Sequence, residues 1–155
     1  MPRIGVISDT HNYLDPRISS LFAGVDHILH AGDIGLPAIV LQLEQIAPVT
    51  GVCGNTDDPG FQYPQTEVVE VEGYRFLVQH IVNPQYPADT LKVRIAHDRP
   101  DAVVFGHTHK PFRQTIGGVL FFNPGYAGRL RFGLARSVAI LHFDERGIRT
   151  EDLSL

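Results

Sequence analysis

Val103-Val104-Phe105-Gly106-His107-Thr108-His109 is the stretch that most constrains both the fold and the function. Its apolar start, rich in β-branched residues, predicts a buried strand that ends at Gly106. Two histidines follow, one residue apart, and neutral imidazole is a common ligand of divalent transition metals. A His-x-His turn alone is as often a solvated loop as a ligand pair, so the metal interpretation needs partners elsewhere.

Four other apolar runs end in polar residues of the same kind. The side chains that follow them are Asp9 with His11, Asp33, Asn55 with Asp57, and His80. Open α/β sheets bind their ligands at the carboxyl ends of their strands. If the polar residues at strand ends were there by chance, Ser, Lys and Glu would be the commonest. The recurrence of Asp, Asn and His therefore predicts that these side chains converge on one site.

The order of elements predicts a parallel first half. Three strands, the last ending at Cys53, alternate with two helices, and this alternation is typical of parallel pairing. The first helix is expected to begin at Pro16 behind a cap at Asp15 and to stop at Gly24. The second, an amphipathic helix, is expected over residues 36–46.

The second half of the chain predicts antiparallel hairpins. They are expected at residues 66–79, 112–122 and 137–153. Between them, a helix capped by Asp89 precedes the strand at 102–105, while the proline-broken segment 58–65 is expected to be a loop. We therefore expect one α/β domain over residues 1–155, with two packed mixed sheets flanked by helices.

Length and composition exclude several classes of partner. The 155 residues carry a formal net charge of −4, which provides no basic field for long nucleic acid. The single cysteine excludes an internal disulfide and suits a reducing compartment. The start lacks a secretory apolar segment, and no apolar run approaches the roughly 20 residues that span a bilayer. We expect a cytoplasmic protein with no membrane partner.

The candidate residues also match a known pattern, in order along the chain. The matching segments are Asp9-Thr10-His11, Gly32-Asp33, Gly54-Asn55-Thr56-Asp57, His80, Gly106-His107-Thr108-His109 and Asn123-Pro124-Gly125. This series resembles the calcineurin-like metallophosphoesterases, and among them the small YfcE-like phosphodiesterase branch. The resemblance implies a four-layer sandwich of two mixed sheets between helices.

The resemblance further implies a centre of two divalent cations bridged by Asp33. The ligands are expected to be Asp9, His11 and His109 for one cation and Asn55, His80 and His107 for the other. Asp33, Asn55 and His107 are also the residues expected to be catalytic, and Asp57 is expected to orient the ligands by accepting hydrogen bonds. Nitrogen and oxygen ligands without thiolate fit Mn, Fe, Ni, Co or catalytic Zn, with Mn favoured in vitro.

Each of these residues has a simpler interpretation when taken alone. Asp9 and Asp33 are also typical helix caps, Asn55 is common in Gly-Asn turns, and His80 also fits the polar end of a strand. His30, just before the Asp33 turn, stays open between the two interpretations. The remaining histidines are interpreted as surface or packing residues, and they are His27, His97 and His142.

The sequence departs from the family pattern at three positions. Thr56 stands where many members carry a histidine that protonates the leaving group, Ile81 stands in place of a glycine, and Tyr126 in place of a serine. The substitution at 56 predicts a preference for diesters of acidic alcohols. Tyr126 is interpreted as an ordinary packing residue or, less strongly, as one that flanks the substrate. Arg129 and Arg131 are candidates for phosphate contact or are solvated loop residues. Phe61, Tyr63 and Tyr86 are interpreted as loop packing rather than as a stack on a base.

The leading functional hypothesis is a metal-dependent phosphoesterase, specifically a phosphodiesterase that hydrolyses a small, nucleotide-like diester through a metal-activated hydroxide at a dinuclear site. One alternative is a non-catalytic protein-interaction scaffold of the same fold. Another is a phosphomonoesterase or nucleotidase. Homo-oligomerisation is left open by the sequence.

Overall fold

The computed structural model describes residues 1–58 and 62–155, and within them it contains ten strands and three helices. The strands are β1 (Arg3–Ile7), β2 (His27–His30), β3 (Val49–Gly51), β4 (Thr66–Val71), β5 (Tyr74–Gln79), β6 (Ala102–Val104), β7 (Phe112–Ile116), β8 (Val119–Asn123), β9 (Ser137–Asp144) and β10 (Gly147–Ser154). The helices are α1 (Ile18–Leu21), α2 (Ala38–Glu44) and α3 (Asp89–Asp98).

The strands form two mixed five-stranded sheets. The first has the order β10-β9-β1-β2-β3 and the second β4-β5-β6-β8-β7. The central strands are parallel, with Ile7 beside His30 in the first sheet and Val78 beside Val104 in the second. This register brings the carboxyl ends of β1, β2, β5 and β6 to common edges, because parallel neighbours end on the same side.

Apolar side chains fill three layers. Alternation along β1 sends Val6 between the two sheets and Ile7 to the outer face, where α1 and α2 pack. The outer face of the second sheet buries Val103 and Phe121 against Leu91 of α3. The resulting order of layers is helix, sheet, sheet, helix, so the predicted fold class is confirmed, as are the three hairpins.

The helices and strand ends differ from the sequence-based expectation. Helix α1 begins at Ile18, not at Pro16, because the first backbone bond is the tighter one from Ile18 N to Asp15 O, three residues back, at 3.1 Å. The Asp15 carboxylate does accept Arg17 N, as a capping residue does, and it also pairs with two arginine side chains. Helix α3 has Ala88 as its N-cap, so Asp89 is its first residue.

Two further segments were expected to be longer. Helix α2 covers Ala38–Glu44, shorter than the predicted 36–46. Strand β3 stops at Gly51 because the Cys53 N–H leaves the ladder and donates to Pro64 O at 2.9 Å. In the loop predicted at 58–65, residues 59–61, Phe61 among them, lie outside the described residues.

The helices in the described part of the chain are all too short or too polar to cross a bilayer.

Candidate metal centre

Most of the predicted ligands lie on strained turns directly after strands. Positive φ angles occur at Asp9 (56°), His11 (45°), Asp33 (53°), His107 (73°) and His109 (61°). A non-glycine residue in this region costs on the order of 1–3 kcal/mol and persists only where its surroundings enforce it. Hydrogen bonds between the first two turns supply that constraint, since Asp9 N donates to Gly32 O and His11 N to Asp33 O.

Two glycines allow the turns to approach each other. A Cβ on Gly54 would collide with the carboxylate and backbone nitrogen of Asp33, and one on Gly106 would collide with Ser8 and Asp9. The turns that carry Asn55 and His107 therefore lie directly against those that carry Asp33 and Asp9. The glycines of the sequence motif are required by this close approach.

The acidic and histidine ligands form two adjacent clusters. Asp9, His11 and His109 make one, Asp33, His80 and His107 the other, and within each cluster the ligand atoms lie within 4.8 Å of one another. Asp33 Oδ2 lies 3.1 Å from His80 Nε2 and 3.7 Å from His11 Nε2, so it contacts both clusters. Asp9 Oδ1 lies 3.3 Å from His109 Nε2.

Asn55 joins the second cluster through its amide oxygen, which lies 3.0 Å from His107 Nδ1. All seven predicted ligands are thus brought to one place.

Three buried atoms test whether this cluster fits a cation. Asp9 Oδ1, His11 Nε2 and His80 Nε2 are shielded from solvent and have no hydrogen-bond partner. A buried polar atom left unsatisfied costs about 1–3 kcal/mol. The nitrogens of His11, in the first cluster, and His80, in the second, lie 3.7 Å and 3.8 Å from Asp9 Oδ1, so one partner between the clusters can satisfy all three atoms. All three atoms can donate an electron pair, as can Asp33 Oδ2 beside them. A divalent cation accepts electron pairs from all four atoms, so these ligands fit a bound divalent cation.

The neighbouring groups prepare these atoms to bind a cation. His80 Nδ1 lies 2.7 Å from Ala31 O and donates to it, which leaves the Nε2 lone pair of a neutral imidazole directed at the cluster. The other oxygen of Asp9 is occupied, because Ser8 Oγ donates to Oδ2 at 2.7 Å and His107 N donates to it at 3.1 Å. Asp9 therefore offers Oδ1.

The carboxylates also set the local pKa values. Burial raises the pKa of Asp33, but the imidazole of His80, at 3.1 Å, and the hydrogen bond from the Thr56 N–H outweigh it, and the net pKa lies well below the ordinary range. Burial lowers the pKa of His80, but the adjacent carboxylates of Asp33 and Asp9 reverse the effect, so the net pKa is raised. Asp33 is therefore ionised at neutral pH, and a proton competes with a cation for His80.

Asp57 holds two of the turns together. Its carboxylate accepts three backbone N–H groups, from Gly54 at 2.8 Å, Gly35 at 3.0 Å and Ile34 at 3.1 Å. It thereby ties the turn that follows Asp33 to the turn that carries Asn55, without pointing at the cation cluster itself.

His30 is a supporting residue that the sequence left open. Its ring is fully buried, and burial lowers its pKa to about 3. Gly32 N donates to Nδ1 at 3.2 Å, so the neutral ring carries its proton on Nε2 and donates to Thr10 Oγ1 at 3.0 Å. Thr10 Oγ1 in turn donates to Ile34 O at 2.8 Å. This chain of bonds connects the turns after β1 and β2.

Ser8 and Thr10 are the supporting residues that sequence reasoning missed. The available signal was their position on either side of Asp9, where a hydroxyl can donate to a ligand carboxylate or to a neighbouring turn.

The weaker candidates for substrate contact differ in exposure. Tyr126 has no exposed surface, donates its hydroxyl to Arg129 O at 2.8 Å and packs its ring 4.7 Å from that of His109. It supports the imidazoles, so the prediction that it contacts substrate does not fit its burial. The exposed Arg129 guanidinium lies 4.9 Å from the Tyr13 ring, and that of Arg131 lies 5.3 Å from the Tyr126 ring.

The outlying histidines lie where the sequence interpretation placed them. His27 is paired with Thr50, His142 with Glu151, and the exposed His97 with Asp98. None of the three contributes to the two ligand clusters found among residues 1–58 and 62–155.

Acidic and histidine ligands at the carboxyl ends of strands, in a sandwich of two mixed sheets between helices, are the arrangement of a metal-dependent phosphoesterase. A comparison with family models matches residues 2–146 to the calcineurin-like phosphoesterase superfamily domain. The chain belongs to this superfamily.

Individual relatives agree with this assignment. A probable metallophosphoesterase of Methanothermobacter thermautotrophicus is 36% identical over 129 residues, covering 79% of this chain and 75% of the relative. A phosphodiesterase of Methanocaldococcus jannaschii is 25% identical over 142 residues, covering 79% of this chain and 82% of the relative. Among solved structures, an archaeal phosphodiesterase superposes with a TM-score of 0.77 at 24% identity over 99% of both chains, a likeness of fold.

Proposed function

We propose that the protein is a phosphodiesterase that hydrolyses a small phosphodiester at a centre of two divalent cations bridged by Asp33. The observation that carries this proposal is the set of buried, unsatisfied donor atoms of Asp9, His11 and His80 beside the Asp33 carboxylate. The phosphodiesterase relative supports the reaction class. Mn, Fe, Ni, Co and Zn all suit these ligands.

A bound pair of cations supplies an oxygen nucleophile at neutral pH and neutralises charge on the phosphoryl oxygens. The chain's own residues hold that chemistry in place. Asp33 stays ionised because its pKa is low, and it lies between the two ligand clusters. His107 N and Ser8 fix Asp9, while Ala31 O fixes the ring of His80.

Arg131 is the side chain that we propose to assist the phosphate. Its guanidinium lies 5.3 Å from the ring of Tyr126, and that ring packs 4.7 Å from the ring of His109. Arg131 therefore lies next to a residue that packs on the ligand cluster. It provides a cation beside the site that can pair with an anionic phosphoryl oxygen.

Thr56 favours diesters of acidic alcohols. Its backbone N–H donates to Asp33 at 2.9 Å, and its hydroxyl does not ionise near neutral pH, so it cannot act as the acid that a histidine provides. Without such an acid, the diesters that react fastest are those whose alcohol can leave as an unprotonated anion. We expect aryl diesters to be better substrates than alkyl diesters.

The proposal is tested by metal analysis joined to hydrolysis of an aryl phosphodiester with Mn added. About two equivalents of metal per chain and turnover abolished in Asp33→Asn would support it, while Asp152→Ala, a change at an exposed carboxylate outside the cluster, should hydrolyse like wild type. Stoichiometric metal without turnover of any diester would refute the phosphodiesterase, and the same result with the aryl monoester as well would favour the scaffold. A higher kcat/KM for the aryl monoester than for the diester would favour the monoesterase.

A further inference from the structure

A cleft of about 790 Å³ opens beside the metal cluster, on the side of Asn55 and His80. Its size falls in the range of pockets that bind small organic molecules. The lining includes Asn55, Gln65, Gln79, His80, Ile81 and Val93. Because Asn55 and His80 belong both to the cleft and to the cluster, a molecule in the cleft contacts whatever is bound at the cations.

Two exposed aliphatic side chains line this cleft. Helix α3 buries Leu91 against the second sheet, so Val93 lies on the opposite side, 67% exposed, and lines the cleft. Ile81, directly after His80, is 52% exposed and lines it as well. Exposed aliphatic surface beside a polar reaction centre gains free energy when an apolar face covers it.

The polar groups of the cleft are mostly uncharged and fixed. Thr66 Oγ1 donates to Gln79 Oε1 at 2.7 Å, and Gln79 Nε2 donates to Ile81 O at 3.0 Å. These bonds hold the Gln79 carboxamide in one orientation with hydrogen-bonding capacity to spare. Gln65 adds a second carboxamide. Amides and hydroxyls of this kind recognise the edges of a neutral heterocycle.

The charges of the cleft disfavour a second anionic group. Arg94 is the cationic side chain among the described lining residues, and its Nε already donates to Asp98 at 2.9 Å. Asp89 places a carboxylate in the first turn of α3, where the helix dipole would otherwise attract an anion. A polyphosphate or other charged extension would therefore meet a paired arginine and a free carboxylate.

We propose that this cleft binds the uncharged, ring-bearing alcohol of the diester, for which a nucleoside has the required chemistry, and that Ile81 and Val93 determine that preference. The inference rests on the phosphodiesterase function proposed above. The flat apolar faces of the base pack on the two aliphatic side chains, and its polar edge meets the carboxamides of Gln65 and Gln79. The ester oxygen then points to His80 and Asn55.

The binding step is tested without metal or turnover. Thymidine is titrated into the full chain with ¹³C-labelled Ile, Leu and Val methyl groups, and NMR spectra are recorded. The methyl signals of Ile81 and Val93 should shift and saturate, while those of Leu41, exposed on α2, should not. Unshifted Ile81 and Val93 signals, or shifts confined to other methyl groups, would overturn the proposal.

A kinetic experiment tests the same contact during hydrolysis of an aryl diester. Thymidine should inhibit competitively, and Val93→Arg, which fills the cleft, should raise its Ki by about tenfold. Leu41→Arg, the matched exchange of an exposed aliphatic side chain on another helix, should leave both activity and Ki as in wild type. Equal Ki values in Val93→Arg and wild type would overturn the proposal. Thymidine binding at these methyl groups without hydrolysis of any diester would refute the proposed reaction and support the binding site.

Discussion

The Asp57 carboxylate should be the largest single contributor to the stability of the site among residues outside the two ligand clusters. It is 9% exposed and accepts three backbone N–H groups, two on Oδ2 from Gly54 and Ile34 and one on Oδ1 from Gly35. Hydrogen bonds to a charged group contribute about 1.5–3 kcal/mol each. Water can reach these turns after truncation, so the lower end applies.

Asp57→Ala should therefore lower the free energy of unfolding by about 4 kcal/mol, which corresponds to a fall in Tm of roughly 10 °C for a domain of this size. Asp57→Asn should lose less, about 2–3 kcal/mol, because its amide oxygen can keep the two bonds that Oδ2 accepts, whereas its NH2 group faces the Gly35 N–H and cannot accept from it. The assay is urea unfolding followed by circular dichroism, in the presence of a chelator so that bound metal contributes nothing.

The matched control for this pair is Asp152→Ala, at an exposed position of the edge strand β10. It should change the free energy of unfolding by less than about 0.5 kcal/mol. A loss in Asp57→Ala no larger than that of the control would refute the argument, because it would show that the turns keep their geometry without the carboxylate.

Three further predictions concern other parts of the molecule. Hydrogen bonds from Arg17, together with the buried Arg136, hold the pKa of Asp15 well below its ordinary value. The ionised Asp15 therefore stabilises the folded protein fully above pH about 4, the pKa of an unfolded Asp, and this contribution is lost as the pH falls through the lower pKa of the folded state. Asp15→Asn should cost about 2 kcal/mol at pH 7, with a deficit relative to wild type that shrinks below pH 4 in urea titrations; a pH-independent deficit would contradict the ion-pair account. Gly54→Ala, whose Cβ would meet Asp33, should reduce Mn affinity by at least about tenfold by isothermal titration, and unchanged affinity would show that the turns separate freely. In Thr56→His, the dependence of kcat/KM on leaving-group pKa should become shallower than in wild type, whereas parallel slopes would exclude this position from leaving-group protonation.

The positions of the strands and of the ligand residues could be predicted from the sequence, because period-two alternation and polar residues at strand ends are local signals. The runs that end before Asp9, Asp33, His80 and His107 needed no tertiary information, and the register of the parallel strands then brings their ends together. The hairpins were readable for the same reason, since each pairs neighbouring segments around a short turn.

Features that depend on contacts between residues far apart in the sequence could not be predicted. Asp15 has the sequence signature of a helix cap and does accept Arg17 N, but its pairing with Arg136, 121 residues away, has no signal in the sequence. Tyr126 is interpreted mainly as a packing residue, which its burial fits, but the sequence holds no signal that it packs against His109. The cleft is formed by β4, β5 and α3 together, so no local sequence pattern predicts that Val93 lines it.

The most direct test of a shared Asp33 bridge is electron paramagnetic resonance of the full chain loaded with two equivalents of Mn(II). Two Mn ions bridged by one carboxylate are magnetically coupled, so wild type should give the broadened spectrum of a coupled pair, and Asp33→Asn the spectrum of an isolated ion. A wild-type spectrum of isolated Mn, or saturation at one equivalent, would contradict the account.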